Sequence, residues 1–81
     1  MEAMNLRERS EWSDAIAAEI RAQRARANLT QAEVIERSGL GTSTYTRIEQ
    51  GKRVPDVTQL WRICQALGIS PSELVRRAES C

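Results

Sequence analysis

The sequence predicts an all-α fold of five short helices packed into one compact domain. Apolar residues recur at the three- and four-residue spacing of helices, and no stretch shows the alternation that is typical of strands. Glycine or asparagine follows the first four of these stretches, where a helix would end. With 81 residues, 41% of them hydrophobic, the chain is long enough for one small core.

The first helix is predicted to begin at Ser13, which can cap its N-terminus. Residues 1–12 are polar, and we expect them to form a flexible or irregular N-terminal arm. Ile16 and Ile20 lie four residues apart and therefore share one face of this helix. Asn28 tolerates the left-handed conformation that ends a helix, so the helix is expected to end there.

The second helix is predicted over residues 31–38. Thr30 is suited to cap it, and Glu33 stands three residues later, which completes a capping box. Val34 and Ile35 are predicted to point toward the core, and Gly39 is the predicted stop. After Gly39 only Leu40 and Gly41 remain before the next helix, so the two helices must meet in a tight turn.

The third helix is predicted over residues 42–50 and ends before Gly51. Tyr45 and Ile48 lie three apart on its buried face.

The fourth and fifth helices are the most clearly marked. Asp56 is the expected cap of the fourth helix, and Gly68 its stop. Ser70 and Glu73 are expected to form a capping box for the fifth helix, with Pro71 at its first position. The inward residues of the fourth helix are predicted to be Val57, Leu60, Ile63, Cys64 and Leu67. The folded domain is therefore placed at residues 13–79, with residues 80–81 as a tail.

Composition argues against an enzyme or a metalloprotein. The chain contains no histidine, which removes the commonest general base and the commonest zinc ligand besides cysteine. Its two cysteines, Cys64 and Cys81, do not form a Cys-x-x-Cys pair. We therefore expect no catalytic set, no metal and no cofactor.

Nothing in the sequence indicates a membrane protein. No apolar stretch approaches the roughly 20 residues that span a bilayer, and the first residues lack the apolar core of a signal peptide. We therefore expect a cytoplasmic protein without a membrane partner, associated with the nucleoid in a bacterial host.

Charge is distributed unevenly along the chain, although the net charge is only +1. Residues 1–20 carry −3, residues 21–53 carry +4, and residues 54–81 are neutral. The middle third is therefore the predicted anion-binding region.

Several spaced elements of the sequence resemble the lambda-repressor-like, Cro-type helix-turn-helix family, also called the XRE family. These elements are Leu29-Thr30-Gln31, the turn Gly39, Arg47-Ile48-Glu49 with Gly51-Lys52, then Pro55 and Ala66-Leu67-Gly68. The resemblance extends over residues 14–76. Two positions depart from it: Ile35 replaces the usual alanine where helices 2 and 3 cross, and Gly41 replaces a serine or threonine cap.

The resemblance implies that helices 2 and 3 form the helix-turn-helix and that helix 3 enters the DNA major groove. With Tyr45 and Ile48 inward, the outward face of helix 3 is polar and carries no acid. Arginine can bond both O6 and N7 of guanine, and short hydroxyl side chains let the helix approach the bases. The candidates for base readout are Thr42, Ser43, Thr46 and Arg47.

A second group of residues is assigned to the DNA backbone. The resemblance places Gln31 at a phosphate and pairs Arg24 with Glu49, with Arg24 also facing phosphate. The positive dipole end of helix 2 favours such a contact. Lys52 and Arg53, in the loop after helix 3, are candidate phosphate clamps, and Gln50 adds a further polar contact.

The predicted function is sequence-specific binding of double-stranded DNA by a transcriptional regulator, in most such cases a repressor. An antitoxin or an antirepressor that uses the same fold to bind a protein is the alternative. Because one helix-turn-helix reads few base pairs, we expect a weak homodimer that forms mainly on DNA. Its expected surface is the apolar side of helix 5, with Trp61; that side carries Leu74, Val75 and Ala78.

Overall fold

Five helices connected by short turns account for most of residues 6–80, which are the residues that the computed structural model describes. The helices are α1 (Leu6–Arg26), α2 (Gln31–Ser38), α3 (Thr42–Glu49), α4 (Val57–Leu67) and α5 (Pro71–Ser80). The predicted all-α class is confirmed, and the described residues contain no strand. None of these helices combines the length and apolarity that a bilayer crossing requires.

Helix α1 begins earlier than predicted. It is already helical at Leu6, so the expectation of an irregular arm is wrong for residues 6–12, while residues 1–5 lie outside the described part of the chain. Ser13 is not a cap; it lies within α1, 5% exposed, and its hydroxyl donates to the carbonyl oxygen of Gly51 at 3.0 Å. The helix extends to residues before Ser13 because Trp12 packs against the core and the hydrogen bond to Gly51 holds Ser13 in place.

The predicted caps of α2 and α4 are confirmed. Thr30 Oγ1 accepts from the Glu33 N–H at 3.1 Å, and the Glu33 carboxylate accepts from the Thr30 N–H at 3.0 Å. Asp56 forms the equivalent reciprocal pair with Gln59 at the start of α4. These bonds satisfy N–H groups that have no partner within the helix.

The predicted capping box of α5 is only half present. Ser70 Oγ accepts from the Glu73 N–H at 3.2 Å, as expected. The Glu73 carboxylate, however, accepts from Arg76 and Arg77 on the next turn instead of returning to the Ser70 backbone. Two guanidinium groups compete better for a carboxylate than one neutral N–H does.

The core lies between the five helices, each of which contributes buried side chains. Of the side chains predicted to point inward, Val34, Tyr45, Ile48, Ile63 and Leu67 are at most 4% exposed. Leu60, also predicted inward, is only half-buried at the core's edge. Cys64 is buried as predicted, and this burial raises the pKa of its thiol to about 11, whereas Cys81 lies outside the described residues.

Two predictions about which apolar side chains are buried and which are exposed are wrong. Val57 has the right spacing for the inward face of α4, but it stands at the first turn beyond the core and is 86% exposed. Leu74 and Ala78 of α5 are not available for a dimer because they are buried against the rest of the domain, and Val75 is half-buried. The exposed large apolar side chains of the described residues are Val54, Val57 and Trp61.

Candidate nucleic-acid interface

Helices α2 and α3 are joined by a three-residue turn that fixes their relative direction. Gly39 has φ of +72°, a left-handed conformation in which its N–H donates to the carbonyl of Ile35 at 3.0 Å. This conformation strains any residue with a Cβ, which explains the glycine. Gly41 caps α3 by its backbone alone, since it has no side chain for the purpose.

Helix α3 has one buried face and one polar face. Tyr45, Ile48 and Glu49 are at most 2% exposed. On the other side Thr42, Ser43 and Arg47 are exposed and Thr46 is half-buried. The structure thus brings the four candidates for base readout together on one accessible face. The Arg47 side chain makes no hydrogen bond or ion pair with other residues in the described range, so its guanidinium is available to a ligand.

The buried carboxylate of Glu49 joins α1, α2 and α3. Its Oε1 accepts from Arg24 Nη2 and from Gln31 Nε2, each at 2.9 Å, and its Oε2 accepts from Arg24 Nε at 3.2 Å. Burial acts to raise the pKa of Glu49, but the neighbouring Tyr45, Gln31 and Arg24 outweigh burial and hold the pKa below its usual value. Glu49 is therefore ionised at neutral pH.

Arg24 is held in one conformation by these bonds. Its third nitrogen, Nη1, donates to the carbonyl oxygen of Leu29 at 3.0 Å. The hydrogen bond to Glu49 is also the main reason that the pKa of Arg24 is raised. Its side chain is 24% exposed, so two N–H groups remain for an outside acceptor.

Gln31 is exposed at the first position of α2, and its amide is oriented by Glu49. One N–H of the amide is used in that bond, which leaves the second N–H and the carbonyl oxygen for other partners. The structure places Gln31 beside Arg24 through their shared acceptor. These two residues therefore present donors side by side at the start of α2.

Tyr45 carries the one buried side-chain polar atom in the described residues that lacks a hydrogen-bond partner. The charged groups that act on its hydroxyl are the Glu49 carboxylate and the Arg24 guanidinium. Burial, followed by the neighbouring carboxylate, raises the pKa of Tyr45. The phenol is therefore neutral, and Tyr45 is the largest of the fully buried side chains, on the inward face of α3.

The turn after α3 presents the remaining candidates. Gln50, Lys52 and Arg53 are exposed, and the two cations have no hydrogen-bonding or ion-pairing partner in residues 8–80. Gly51, with φ of +75°, directs the chain out of α3. A Cβ at Gly51 would lie 2.5 Å from Asp14 Oδ1, so α1 packs closely against this turn.

The sequence did not indicate how α1 supports this surface. Arg21 Nη1 donates to the backbone carbonyl of Glu49, the last residue of α3. No N–H group within α3 can donate to this carbonyl, because it lies at the C-terminus of the helix. Arg21 lies one turn before Arg24 on the same face of α1. That spacing was the available signal, because two arginines on one face can both reach the C-terminus of a neighbouring helix.

Side chains that bind metals are not clustered in this surface. Among the residues that the structure describes, no three His, Cys, Asp or Glu side chains lie together in a manner that could hold a metal ion.

Known proteins are similar to this chain in sequence and in fold. A sequence profile of the helix-turn-helix domain matches residues 15–77. The HTH-type transcriptional regulator y4dJ of Sinorhizobium fredii is 47% identical over 47 residues, which are 58% of this chain and 61% of that protein. The chain therefore matches less than two thirds of this relative's length.

Two solved structures have the same fold. The clp gene regulator ClgR from Corynebacterium glutamicum superimposes with a TM-score of 0.80 and 26% identity, covering 85% of this chain and 73% of ClgR. The restriction-modification controller protein C.AhdI from Aeromonas hydrophila gives a TM-score of 0.72 and 27% identity, covering 76% and 94% of the two chains. The profile match over most of the chain, together with the α2–α3 geometry, shows that this chain belongs to the helix-turn-helix domain family.

Proposed function

We propose that the chain is a transcriptional regulator that binds double-stranded DNA at specific sequences, with α3 in the major groove, and that it acts as a repressor. The main support is the polar face of α3, where the Arg47 side chain has no partner among the described residues. Tyr45 and Ile48 pack the opposite face of the helix into the core. An α-helix fits the major groove, and an arginine there can bond a guanine at two atoms. The regulators named above support this class of function, and none of them is named as an enzyme.

The backbone contacts are proposed for Arg24, Gln31, Gln50, Lys52 and Arg53. Gln31 is the first residue of α2, and Arg24 of α1 shares its acceptor Glu49, so both lie beside the start of α2, where free N–H groups and the helix dipole favour a phosphate. Because Glu49 already holds both side chains in place, little conformational entropy is lost when they bind. The exposed cations after α3 would contact phosphate on the other side of the groove.

In-vitro selection of DNA from a random library tests this function and gives the preferred site. On that site, Arg47→Ala should weaken binding by about 1–3 kcal/mol and relax the preference at a guanine. Arg53→Ala should weaken binding to all sequences alike and flatten the salt dependence. Failure of the wild-type protein to enrich any sequence would contradict the proposal.

The repressor role needs a separate measurement. We expect a promoter that overlaps the selected site to be less active when the protein is produced, and to recover its activity with the Arg47→Ala variant. An increase in promoter activity would identify an activator instead.

A second copy of the chain is proposed to dock through the apolar patch that exposed Val57 and Trp61 form four residues apart on one face of α4, with exposed Val54 in the preceding loop. The patch follows the proposed phosphate clamp directly in the chain, so two copies on adjacent half-sites could meet beside the DNA. Three side chains bury little area compared with a stable dimer interface, so the dimer should be weak in solution and form mainly on DNA.

Sedimentation of the free protein and titration onto a palindromic site test this patch. Val57→Glu should abolish cooperative binding while leaving affinity for a single half-site unchanged. Gln65→Glu adds the same charge at an exposed position of α4 and serves as the control. Unchanged cooperativity in Val57→Glu would exclude this surface from the dimer.

A further inference from the structure

A cleft separates the first turns of α1 from the turn that follows α3. Its position is fixed by the Ser13 hydroxyl, which donates to the carbonyl of Gly51 at 3.0 Å. The lining residues are Arg9, Ser10, Ser13, Gly51, Lys52 and Val54. Two cations and two hydroxyl groups therefore border one open depression beside the proposed DNA-binding surface.

The acidic and basic side chains in the first turns of α1 point in different directions because of their spacing along the helix. Arg9 and Ser10 face the cleft, one turn before Ser13. Glu8 and Glu11 instead line a different groove, between α1 and the end of α5. Glu8 and Glu11 are thus turned away from the basic cleft.

The two cations of the cleft lack a compensating partner. Neither the Arg9 guanidinium nor the Lys52 ammonium forms an ion pair or hydrogen bond with any residue of the described range. The nearby carboxylate is that of Asp14, which lies beside Gly51 at the edge of the cleft and is exposed. Arg9, Lys52 and Asp14 together leave the cleft with one net positive charge, and like charges facing one depression favour an anion between them.

We propose that this cleft binds a phosphate group of the DNA backbone, which extends the DNA contact from the helix-turn-helix onto the N-terminal turns of α1. Arg9 and Lys52 would hold the phosphate from two sides, with a hydrogen bond from the Ser10 hydroxyl. The proposal rests on the proposed DNA binding. It adds α1 residues that the polar face of α3 does not require.

The test is the salt dependence of DNA affinity, measured on the selected site for wild-type protein and variants. Each lost phosphate contact flattens the slope of log K against log salt by about one unit. Arg9→Gln should show this change, and Asp14→Asn should strengthen binding because it removes the one repelling carboxylate named above. Arg76→Gln is the charge-matched control, since Arg76 bonds Glu73 on the exposed side of α5 and should leave the slope unchanged.

The outcomes separate this inference from the function on which it rests. If wild-type protein binds its site and Arg9→Gln binds with the same affinity and slope, with thermal unfolding unchanged, the cleft does not contact DNA. If Arg9→Gln and Arg76→Gln flatten the slope equally, the effect comes from net charge and the proposal is wrong. If wild-type protein binds no DNA, the proposed function itself fails.

A free phosphorylated molecule offers the same chemistry, and inorganic phosphate distinguishes the two sources. Titration of the free protein, followed by amide NMR shifts, should show no saturable binding at Ser10 or Lys52 below millimolar phosphate. Saturation at micromolar concentration, together with unchanged DNA binding of Arg9→Gln, would assign the cleft to a small phosphorylated ligand instead.

Discussion

Arg24 and Glu49 form a bidentate ion pair in which Nη2 and Nε of the guanidinium lie 2.9 and 3.2 Å from the two carboxylate oxygens. The pair connects α1 to the last residue of α3, and Gln31 of α2 adds a third bond to the same carboxylate. The carboxylate is almost wholly buried, with 3% of its side chain exposed. The Glu49 carboxylate therefore holds α1, α2 and α3 in their relative orientation, and these helices carry the proposed DNA contacts.

Substitution Glu49→Gln should destabilise the fold by about 2 kcal/mol, since a charge-assisted pair is lost and an amide N–H then faces the donors of Arg24 and Gln31. Equilibrium unfolding in urea at pH 7 measures this change. Glu73→Gln is the control, because its pairs with Arg76 and Arg77 lie at the surface and should contribute nothing measurable. Equal stability of Glu49→Gln and wild-type protein would show that Glu49 does not hold the helices together.

The stabilising effect of Glu49 should depend on pH. Because the pKa of Glu49 is lowered in the folded protein, its contribution is complete above the ordinary value of 4.5 and is lost as pH falls through the folded value. The difference in unfolding free energy between wild-type protein and Glu49→Gln should therefore shrink as pH is lowered below 4.5. Glu73, with a pKa of about 2, titrates in both proteins and cancels from the difference. A difference that stays constant from pH 7 to pH 3 would contradict the assignment.

Gly51→Ala should be more harmful than Gly68→Ala, although both glycines have φ near +75°. The left-handed conformation costs a residue with a Cβ about 1–2 kcal/mol at either position. At Gly51 the new Cβ would also meet Asp14 Oδ1 at 2.5 Å, whereas nothing lies within 4 Å at Gly68. Thermal unfolding of both variants compares the two costs.

Asp14 can be removed to isolate the crowding at Gly51. If the double variant Asp14→Ala, Gly51→Ala is no less stable than Gly68→Ala, the close approach of α1 explains the extra loss. If the double variant is as unstable as Gly51→Ala alone, another cause must account for it.

Leu67→Ala should destabilise the protein by about 2–5 kcal/mol, because Leu67 is 4% exposed and its truncation leaves a cavity beneath α4. Val57→Ala on the same helix should change stability by less than about 0.5 kcal/mol, since Val57 is 86% exposed. Urea unfolding of both variants provides the comparison. Similar losses in the two variants would mean that the first turn of α4 is packed in solution.

Local signals determined where most helices begin and end. Thr30 and Asp56 cap α2 and α4 through side-chain bonds to residues three positions later, and Gly39 and Gly68 end these helices in left-handed conformations. Such features depend on neighbouring residues, so the sequence alone was sufficient to predict them. The start of α1 carries no such signal among the described residues, which is why Ser13 was mistaken for a cap.

The sequence by itself determined the helices, most of the core and the polar face of α3, because each follows from spacing along one helix. Only the tertiary structure decided which apolar residues lie beyond the core, as at Val57, and which are already covered, as at Leu74. It also decided that Arg21 reaches the end of α3 and that Arg9 and Lys52 border one cleft. These relationships join residues 28 and 43 positions apart, and no periodicity within one helix specifies how two helices pack against each other.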